Sequence, residues 1–413
     1  MHPVIKNFRE IKDIKPLLTV SIGHAATHWV NGIFLVSLPF IVKDLGLNFK
    51  TAGTMVSIFF MAAVAITIIS GPIIDITREY IKFQFMCLIS GILALIILGF
   101  SDTVYLLAIA AVFIGFCVSG WHTPAIPYLS QIYHKNRGLA LSIHTVGASL
   151  GDAIGPPIAG ILMLFLAWEA TSMLLSVPVI VMAVYLIIYL EPSEKVINRM
   201  ELTSEHEVIE KKPTTRLNYV EGLKALVGNR SMLQLCLMAG VWSMTQNGVT
   251  VFLPLYLYFI MDASPALIGF ALFSIQIGAI FAGPMAGAWS DQIGARKVVL
   301  CALVASTLLL LILPFFNNVY IFIGIVSLAG CSLYSIRPVI HSWTMDLTTD
   351  KTSGSAVSML FTAQAVLTGT VPFIGGILAD NYGLKVTFYM LTLTSLIALT
   401  VAFLMPRVNS KVR

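Results

Sequence analysis

Charge is scarce in this chain: Asp, Glu, Lys and Arg together make up 11% of its 413 residues, against 57% for the apolar and aromatic types. An ordinary soluble domain carries roughly 25% charged residues, so a chain this poor in charge cannot clothe itself in a water-compatible surface. Enzyme motifs are missing as well. There is no glycine-rich nucleotide loop, no nucleophile motif and no convincing quartet of metal ligands, which argues against a membrane enzyme and leaves neither a cofactor nor a metal expected. Cysteine is sparse, and all five (Cys87, Cys117, Cys236, Cys301, Cys331) fall within apolar runs. They are expected to be small packing residues, with no disulfide framework.

What the chain has is long apolar runs, with a mean hydropathy of +0.89. A membrane-spanning helix needs about 20 mainly apolar residues. Twelve such stretches begin near residues 17, 51, 82, 104, 138, 168, 230, 265, 297, 319, 354 and 384. Six precede a charged break and six follow it, predicting an all-α polytopic membrane protein of twelve transmembrane helices in two six-helix halves. The boundaries read as residues 1–190 for the first half, 191–229 for a linker and 230–413 for the second half. The later part of the linker is expected to lie along the membrane surface as an amphipathic helix.

Loops on the cytoplasmic side are enriched in Lys and Arg. With the N-terminus inside, 21 of the 25 basic residues fall on that side, while Lys43, Lys50 and Lys385 lie outside and Arg337 lies within a span. Both termini are therefore expected in the cytoplasm. The net charge of +5 follows from this bias, so no nucleic-acid partner is expected. The first apolar stretch runs on past Pro39 without a small-residue cleavage site, so no cleavable signal peptide is expected.

A segment of the chain returns 216 positions later. Gly53, Gly71, Asp75, Gly138, Ser142, Pro156 and Gly160 are matched by Gly269, Gly287, Asp291, Gly354, Ser358, Pro372 and Gly376. One offset serves every pair, so the chain is two copies of one unit. Asn31-Gly32 is matched in the same way by Asn247-Gly248, and Thr27 by Ser243.

Two six-helix halves related by a parallel repeat and joined by a charged linker resemble the major facilitator superfamily of secondary transporters. The sharpest local likeness is between spans 8 and 9. There Gly287, Asp291, Gly294, Arg296 and Lys297 are spaced as G-x-x-x-D-x-x-G-x-R-K, the gating signature of that superfamily. The copy after span 2 is degraded: Gly71 and Asp75 remain, Arg78 stands where the second glycine is expected, and Lys82 is the remaining distal base. The resemblance implies that the acid and bases latch the halves at the cytoplasmic face. A basic turn obeying the charge bias would explain the bases, though not an Asp at the same offset in both halves. In span 5, Gly151, Gly155, Pro156 and Gly160 are similar to the G-x-x-x-G-P-x-x-G-G motif of the superfamily's antiporters, with Ala159 replacing one glycine. The likeness implies antiport, although tight packing of helices through small residues would produce the same pattern. The run Trp121-His122-Thr123-Pro124 through Arg137-Gly138 to Gly147, with Gly23-His24 and Leu38-Pro39, is similar to bacterial fosmidomycin-resistance-like efflux proteins. That likeness implies efflux of a drug or metabolite across a bacterial inner (plasma) membrane.

A charge at mid-membrane costs about 2.5 to 3.5 kcal/mol even on the insertion scale, so it faces a cavity or a partner. Asp152 is the one acid placed well inside a span, where it is a candidate for reversible protonation or for a bond to a neighbouring helix. Arg337, beside Pro338 in span 10, keeps its proton. It reads as an anchor for an anionic substrate, as a partner for Asp152, or as a side chain snorkelling to the cytoplasm. Five of the eight histidines fall in spans: His24, His28, His122, His144 and His341. Counting rise per residue from the cytoplasmic ends puts all five at a depth of about 8 to 16 Å, in one layer. His24 and His28 are spaced i, i+4, on one helix face as metal chelation requires. No carboxylate or thiolate shares their layer at ligand spacing, so no metal is expected. Asp152, His24 and His144 are assigned to proton coupling, and His28 and His122 to substrate contact.

The resemblance also implies that the first helix of each three-helix unit lines a central cavity. This adds Asn31, Trp121, Trp242, Gln246, Asn247, Tyr334 and Arg337 as substrate contacts, while Tyr256 and Tyr258 read as interfacial belt. The expected activity is secondary active transport by alternating access: proton-coupled efflux of a small organic compound, anions included. Proton-coupled uptake of a metabolite is the alternative, with a non-transporting membrane receptor behind it. The expected partners are the small-molecule substrate, protons and the lipid bilayer, with the protein acting as a monomer.

Overall fold

The computed structural model describes residues 13–204, 228–347 and 353–405. They form twelve helices of spanning length and, among the described residues, no strand. The first half holds α1 (Lys15–Asp44), α2 (Phe49–Thr77), α3 (Tyr80–Gly99), α4 (Val104–Ile132), α5 (Arg137–Leu162) and α6, the last in two pieces, Trp168–Leu174 and Val177–Ser204. The second half holds α7 (Arg230–Phe259), α8 (Pro265–Ile293), α9 (Ala295–Ile312), α10 (Val319–Asp346), α11 (Ser353–Tyr382) and α12 (Lys385–Leu404). Ten of the twelve combine spanning length with apolar composition. The other two, α5 and α7, have the length at 26 and 30 residues and carry polar residues such as His144, Asp152, Gln246 and Asn247. In a bilayer every backbone group must be bonded within the protein, which is why helices of this length carry the whole fold.

Sequence determines where these helices start and break. The Asn229 side chain caps α7 by accepting from the N–H groups of Ser231 and Met232 at 3.0 and 3.2 Å. Asn318 caps α10 in the same way, through Tyr320 and Ile321 at 2.9 and 3.2 Å; such caps satisfy otherwise orphaned donors. α4 breaks at Trp121 because Pro124 has no N–H to give to the Gly120 carbonyl. α6 continues through Glu191 to Ser204, so the charged segment begins as helix. The amphipathic helix expected in the later linker lies outside the described residues.

The chain forms two compact units, each taking a short segment from the other part of the sequence. The first contains the described residues up to Gly46, those from Ile58 to Ser204, and Ser264–Phe270; the second contains Leu47–Ser57 and the rest of the described residues from 228 onward. The exchanged pieces are the opening turns of α2 and α8. In the second unit Gly53 lies against Pro372, and a Cβ added there would fall 1.9 Å from the Pro372 carbonyl oxygen. In the first unit Gly269 lies against Pro156 in the same manner, at 2.4 Å. Two pairs of the 216-residue repeat thus meet crosswise, which explains why a glycine and a proline recur at these positions.

One expectation is corrected in the second unit. Tyr256 is no interfacial belt residue: it is 1% exposed, stacked on Phe322 at 5.0 Å and edge-on to Phe388 at 5.0 Å. Aromatic edge and face contacts of this kind favour burial in a core. Tyr258 is half-buried beside Phe259.

Candidate functional site

The site in the first unit begins with two glycines. A Cβ at Gly147 would sit 2.2 Å from the Ser21 carbonyl oxygen, and one at Gly151 would sit 2.1 Å from the Ala25 carbonyl oxygen. Only hydrogen at these positions lets the α5 backbone lie directly on α1. Helix periodicity then carries the flanking side chains into register. The His144 ring stacks on His24 with centroids 4.1 Å apart, and Asp152 Oδ2 lies 2.9 Å from His28 Nδ1. Asn31 Nδ2 makes a long approach to Asp152 Oδ1 at 3.5 Å. His122, at the break in α4, meets His24 edge-on at 4.7 Å.

Four of the five histidines placed in one layer therefore do come together, and they share it with a carboxylate. This corrects the expectation that no acid joins them. Axial counting gives depth but not which face a residue occupies, and Gly147 and Gly151 decide that face. His341 belongs to the second unit, where its ring lies 5.2 Å from Phe361.

Proton positions follow from the partners. The His144 carbonyl only accepts, so His24 Nδ1, 2.8 Å away, carries the hydrogen. The Trp121 indole donates to His144 Nε2 at 3.3 Å. An ionised Asp152 likewise accepts from His28 Nδ1–H. The Nε2 atoms of His24 and His28 are buried and have no hydrogen-bond partner. Trp121 itself is fully buried, with its ring against Gly23, so it walls the cluster.

The repeat supplies an internal comparison. At the positions equivalent to His24, His28, His122, His144 and Asp152, the second half has Gly240, Met244, Pro338, Leu360 and Thr368. Thr368 is buried and bonded to Ser243 at 2.8 Å, and Asn247 donates to the Ser243 carbonyl at 3.0 Å. The scaffold is duplicated, while the titratable cluster exists in one copy.

The second unit offers a different group. Arg337 Nη2 approaches Gln246 Oε1 at 3.5 Å, with its guanidinium 5.8 Å from the Tyr334 ring, and Tyr334 accepts from Gln276 at 3.1 Å. Arg337 lies on an exposed face of α10. Trp242 is buried and donates to the Leu333 carbonyl at 3.0 Å, a packing position.

At the gating signature the structure explains the glycine. Gly294 has φ +91 and donates to the Ser290 carbonyl at 2.9 Å, closing α8 with a left-handed residue. In the degraded copy, Arg78 takes the same role at φ +51, bonded to the Ile74 carbonyl at 2.8 Å. A side chain in that conformation costs roughly 1–2 kcal/mol, partly offset in glycine by greater freedom when unfolded, so Arg78→Gly is expected to gain about 1 kcal/mol. Thermal unfolding in detergent checks this; a lower midpoint would mean that the Arg78 side chain holds the turn. Gly71 and Gly287 have open space around them, and Asp75, Asp291 and Lys297 are exposed. Arg296 Nε reaches the Ala402 carbonyl at 3.3 Å and its Nη2 donates to Phe403, at the end of α12. A cation at a helix C-terminus is favourable on its own account, so this base of the signature is engaged within its own half.

The sequence reading passed over a third copy of this pattern. Gly376, Asp380, Gly383 and Lys385 have the spacing G-x-x-x-D-x-x-G-x-K at the end of α11. Gly383 again has φ +82, bonded to the Ala379 carbonyl. Asp380 accepts from the N–H groups of Phe49 and Lys50, both at 2.8 Å, capping α2 from outside with a carboxylate where the helix dipole favours one. The spacing was legible, but at the 216 offset Leu164 replaces the acid, so a search for duplicates discards it.

A family model described as Major Facilitator Superfamily matches residues 20–275 and 235–413. Among curated proteins, the chain is similar to Multidrug resistance protein 2 of Bacillus subtilis, 29% identical over 141 residues, a match spanning only 34% of each chain. It is similar over most of its length to Multidrug resistance protein MdtG of Proteus mirabilis, 23% identical, covering 85% of this chain and 86% of the relative. The Phosphoglycerate transporter protein of Salmonella typhimurium is 24% identical, with 92% and 85% covered. Among solved structures, a bacterial homologue of the human lysosomal transporter Spinster has a TM-score of 0.79 at 14% identity, covering 98% of this chain and 97% of that one. The nucleoside transporter NupG has a TM-score of 0.76 at 11% identity, covering 95% and 100%. At such identities the structural matches speak to the fold alone.

Proposed function

Because the chain belongs to the Major Facilitator Superfamily of secondary transporters, we propose that it is a proton-coupled exporter of small organic compounds across the bacterial inner membrane. The observation that carries this reading is the His28–Asp152 pair, 2.9 Å apart between α1 and α5. Its side chains are 16% and 21% exposed, sheltered enough to need each other and open enough for a proton to enter. Adding a proton to Asp152 removes the charge that holds His28, which alters the contact between two helices of one unit. A carboxylate–imidazole pair is therefore a suitable coupling element for alternating access. Export agrees with two relatives named for multidrug resistance. The glycine and proline pattern of α5, which lays its backbone on α1, is in keeping with proton antiport as the form of that export. The working unit is a monomer, since one chain contains both copies of the repeat.

A second reading, proton-coupled uptake of an anionic metabolite, is favoured by Arg337 beside Gln246 and by the relative named for phosphoglycerate. A thermal-shift screen of small organic compounds supplies ligands for the test, which is transport in proteoliposomes with an imposed pH gradient. Ligand accumulation is expected to follow the gradient and reverse with it; movement indifferent to the gradient would end the proton reading. Arg337→Gln is expected to weaken binding of anionic ligands by about tenfold, the factor that roughly 1.4 kcal/mol carries, and to spare neutral ones. Equal losses for both would remove Arg337 as a charge anchor.

A further inference from the structure

We propose that His24, His28 and His122 bind a divalent first-row transition-metal ion, with Asp152 and the His144 carbonyl as the outer groups that orient two of the rings. One ligand nitrogen from each of the three histidines lies within 4.8 Å of those of the other two. Zn–N bonds of about 2.0–2.1 Å in a tetrahedral site place nitrogens about 3.4 Å from one another, so side-chain rotations that close at most about 1.4 Å between ligand atoms complete the site. The supports are already in place. A metal-bound imidazole characteristically gives its other N–H to a carboxylate or a backbone carbonyl. His28 has Asp152 Oδ2 at 2.9 Å and His24 has the His144 carbonyl at 2.8 Å. With both Nδ1 atoms so engaged, each ring is left with a bare Nε2 lone pair, and both atoms are buried without a partner. His24 is only 2% exposed, so water does not make good the loss, and a buried acceptor left unmet is destabilising. A cation satisfies both nitrogens at once.

Neutral imidazole nitrogens select zinc, copper, nickel or iron over calcium and magnesium, which take oxygen. Three protein ligands leave a coordination position for water or a bound compound. None of the five cluster residues is retained at the equivalent position of the second half, so the shared scaffold does not account for the cluster. The inference uses two residues of the proton reading but rests on geometry alone, and binding in detergent tests it without any gradient.

The probe is Co2+ titrated into tag-free, chelator-treated full-length protein and followed by its visible ligand-field spectrum, with Zn2+ as competitor. One equivalent is expected to bind and to be displaced by one equivalent of Zn2+. His28→Gln and His122→Gln should abolish the spectrum, whereas His341→Gln should leave it unchanged. Asp152→Asn, which leaves all three ligands present, should keep the stoichiometry and weaken affinity by about 10–100-fold. Absence of a saturable equivalent, or unchanged affinity in both His28→Gln and Asp152→Asn, overturns the proposal. Thermal unfolding of each metal-free variant separates lost binding from lost folding. Gradient-driven movement of an organic ligand in the presence of chelator is read independently, so failure of either idea leaves the other standing.

Discussion

Asp152→Asn is expected to leave a folded protein that equilibrates its ligand but no longer concentrates it. Asparagine keeps the size and one acceptor oxygen, so His28 Nδ1 retains a partner at the 2.9 Å position. What disappears is the ionisable group. One pH unit is worth about 1.4 kcal/mol per proton, so a coupled exchanger sustains about tenfold accumulation per proton for each unit of gradient. An uncoupled variant sustains none. The measurement is the steady-state ratio of ligand across proteoliposome membranes, wild type against Asp152→Asn, with exchange at zero gradient as the control for folding. A variant that still concentrates ligand removes Asp152 from coupling. The internal repeat makes the prediction specific, because Thr368, at the equivalent position in α11, is buried and bonded to Ser243. Thr368→Val should affect stability while leaving the dependence on the gradient intact.

The fold was legible because the physics that sets it is coarse. Twelve runs of spanning length and a constant offset are properties of whole segments, and they survive ignorance of side-chain direction. The candidate site was legible only in one dimension. Counting rise along each helix placed His24, His28, His122 and His144 at one depth, and they meet there. The same count put His341 at that depth too, yet it packs on Phe361 in the other unit. Azimuth was the missing coordinate. Gly147 and Gly151 contain it, since the face that carries them must be the face pressed against α1, but that deduction needs the identity of the neighbouring helix. Tyr256 was misread for a related reason: an aromatic near a helix end looks like a belt residue until Phe322 and Phe388 enclose it. The resemblance assigned Arg296 to a latch with an acid, and it does not give the carbonyls of Ala402 and Phe403 at the end of α12, which Arg296 meets here.

Gly151→Val is expected to be the most damaging substitution in the first unit. Even the first added carbon would fall 2.1 Å from the Ala25 carbonyl oxygen and 2.9 Å from His28 Cβ, against an ordinary carbon–oxygen contact of about 3.3 Å. The obstruction is backbone and cannot rotate aside, so α1 and α5 must move apart by about 1 Å, and overpacking of this kind typically costs 1–3 kcal/mol. A separation that large carries the 2.9 Å bond between His28 and Asp152 beyond about 3.5 Å, where a hydrogen bond is effectively lost. One packing change should therefore lower the thermal midpoint and abolish accumulation together, whereas Asp152→Asn abolishes accumulation alone. Gly138 separates this from a general intolerance of glycine replacement. It also recurs in the repeat, as Gly354, but an added Cβ there meets nothing within 4 Å, so Gly138→Ala should be neutral or slightly stabilising. If Gly151→Val and Gly138→Ala unfold at the same temperature as wild type, the close approach of α1 and α5 does not hold the site together, and the register of His24, His28, His144 and Asp152 must have another cause.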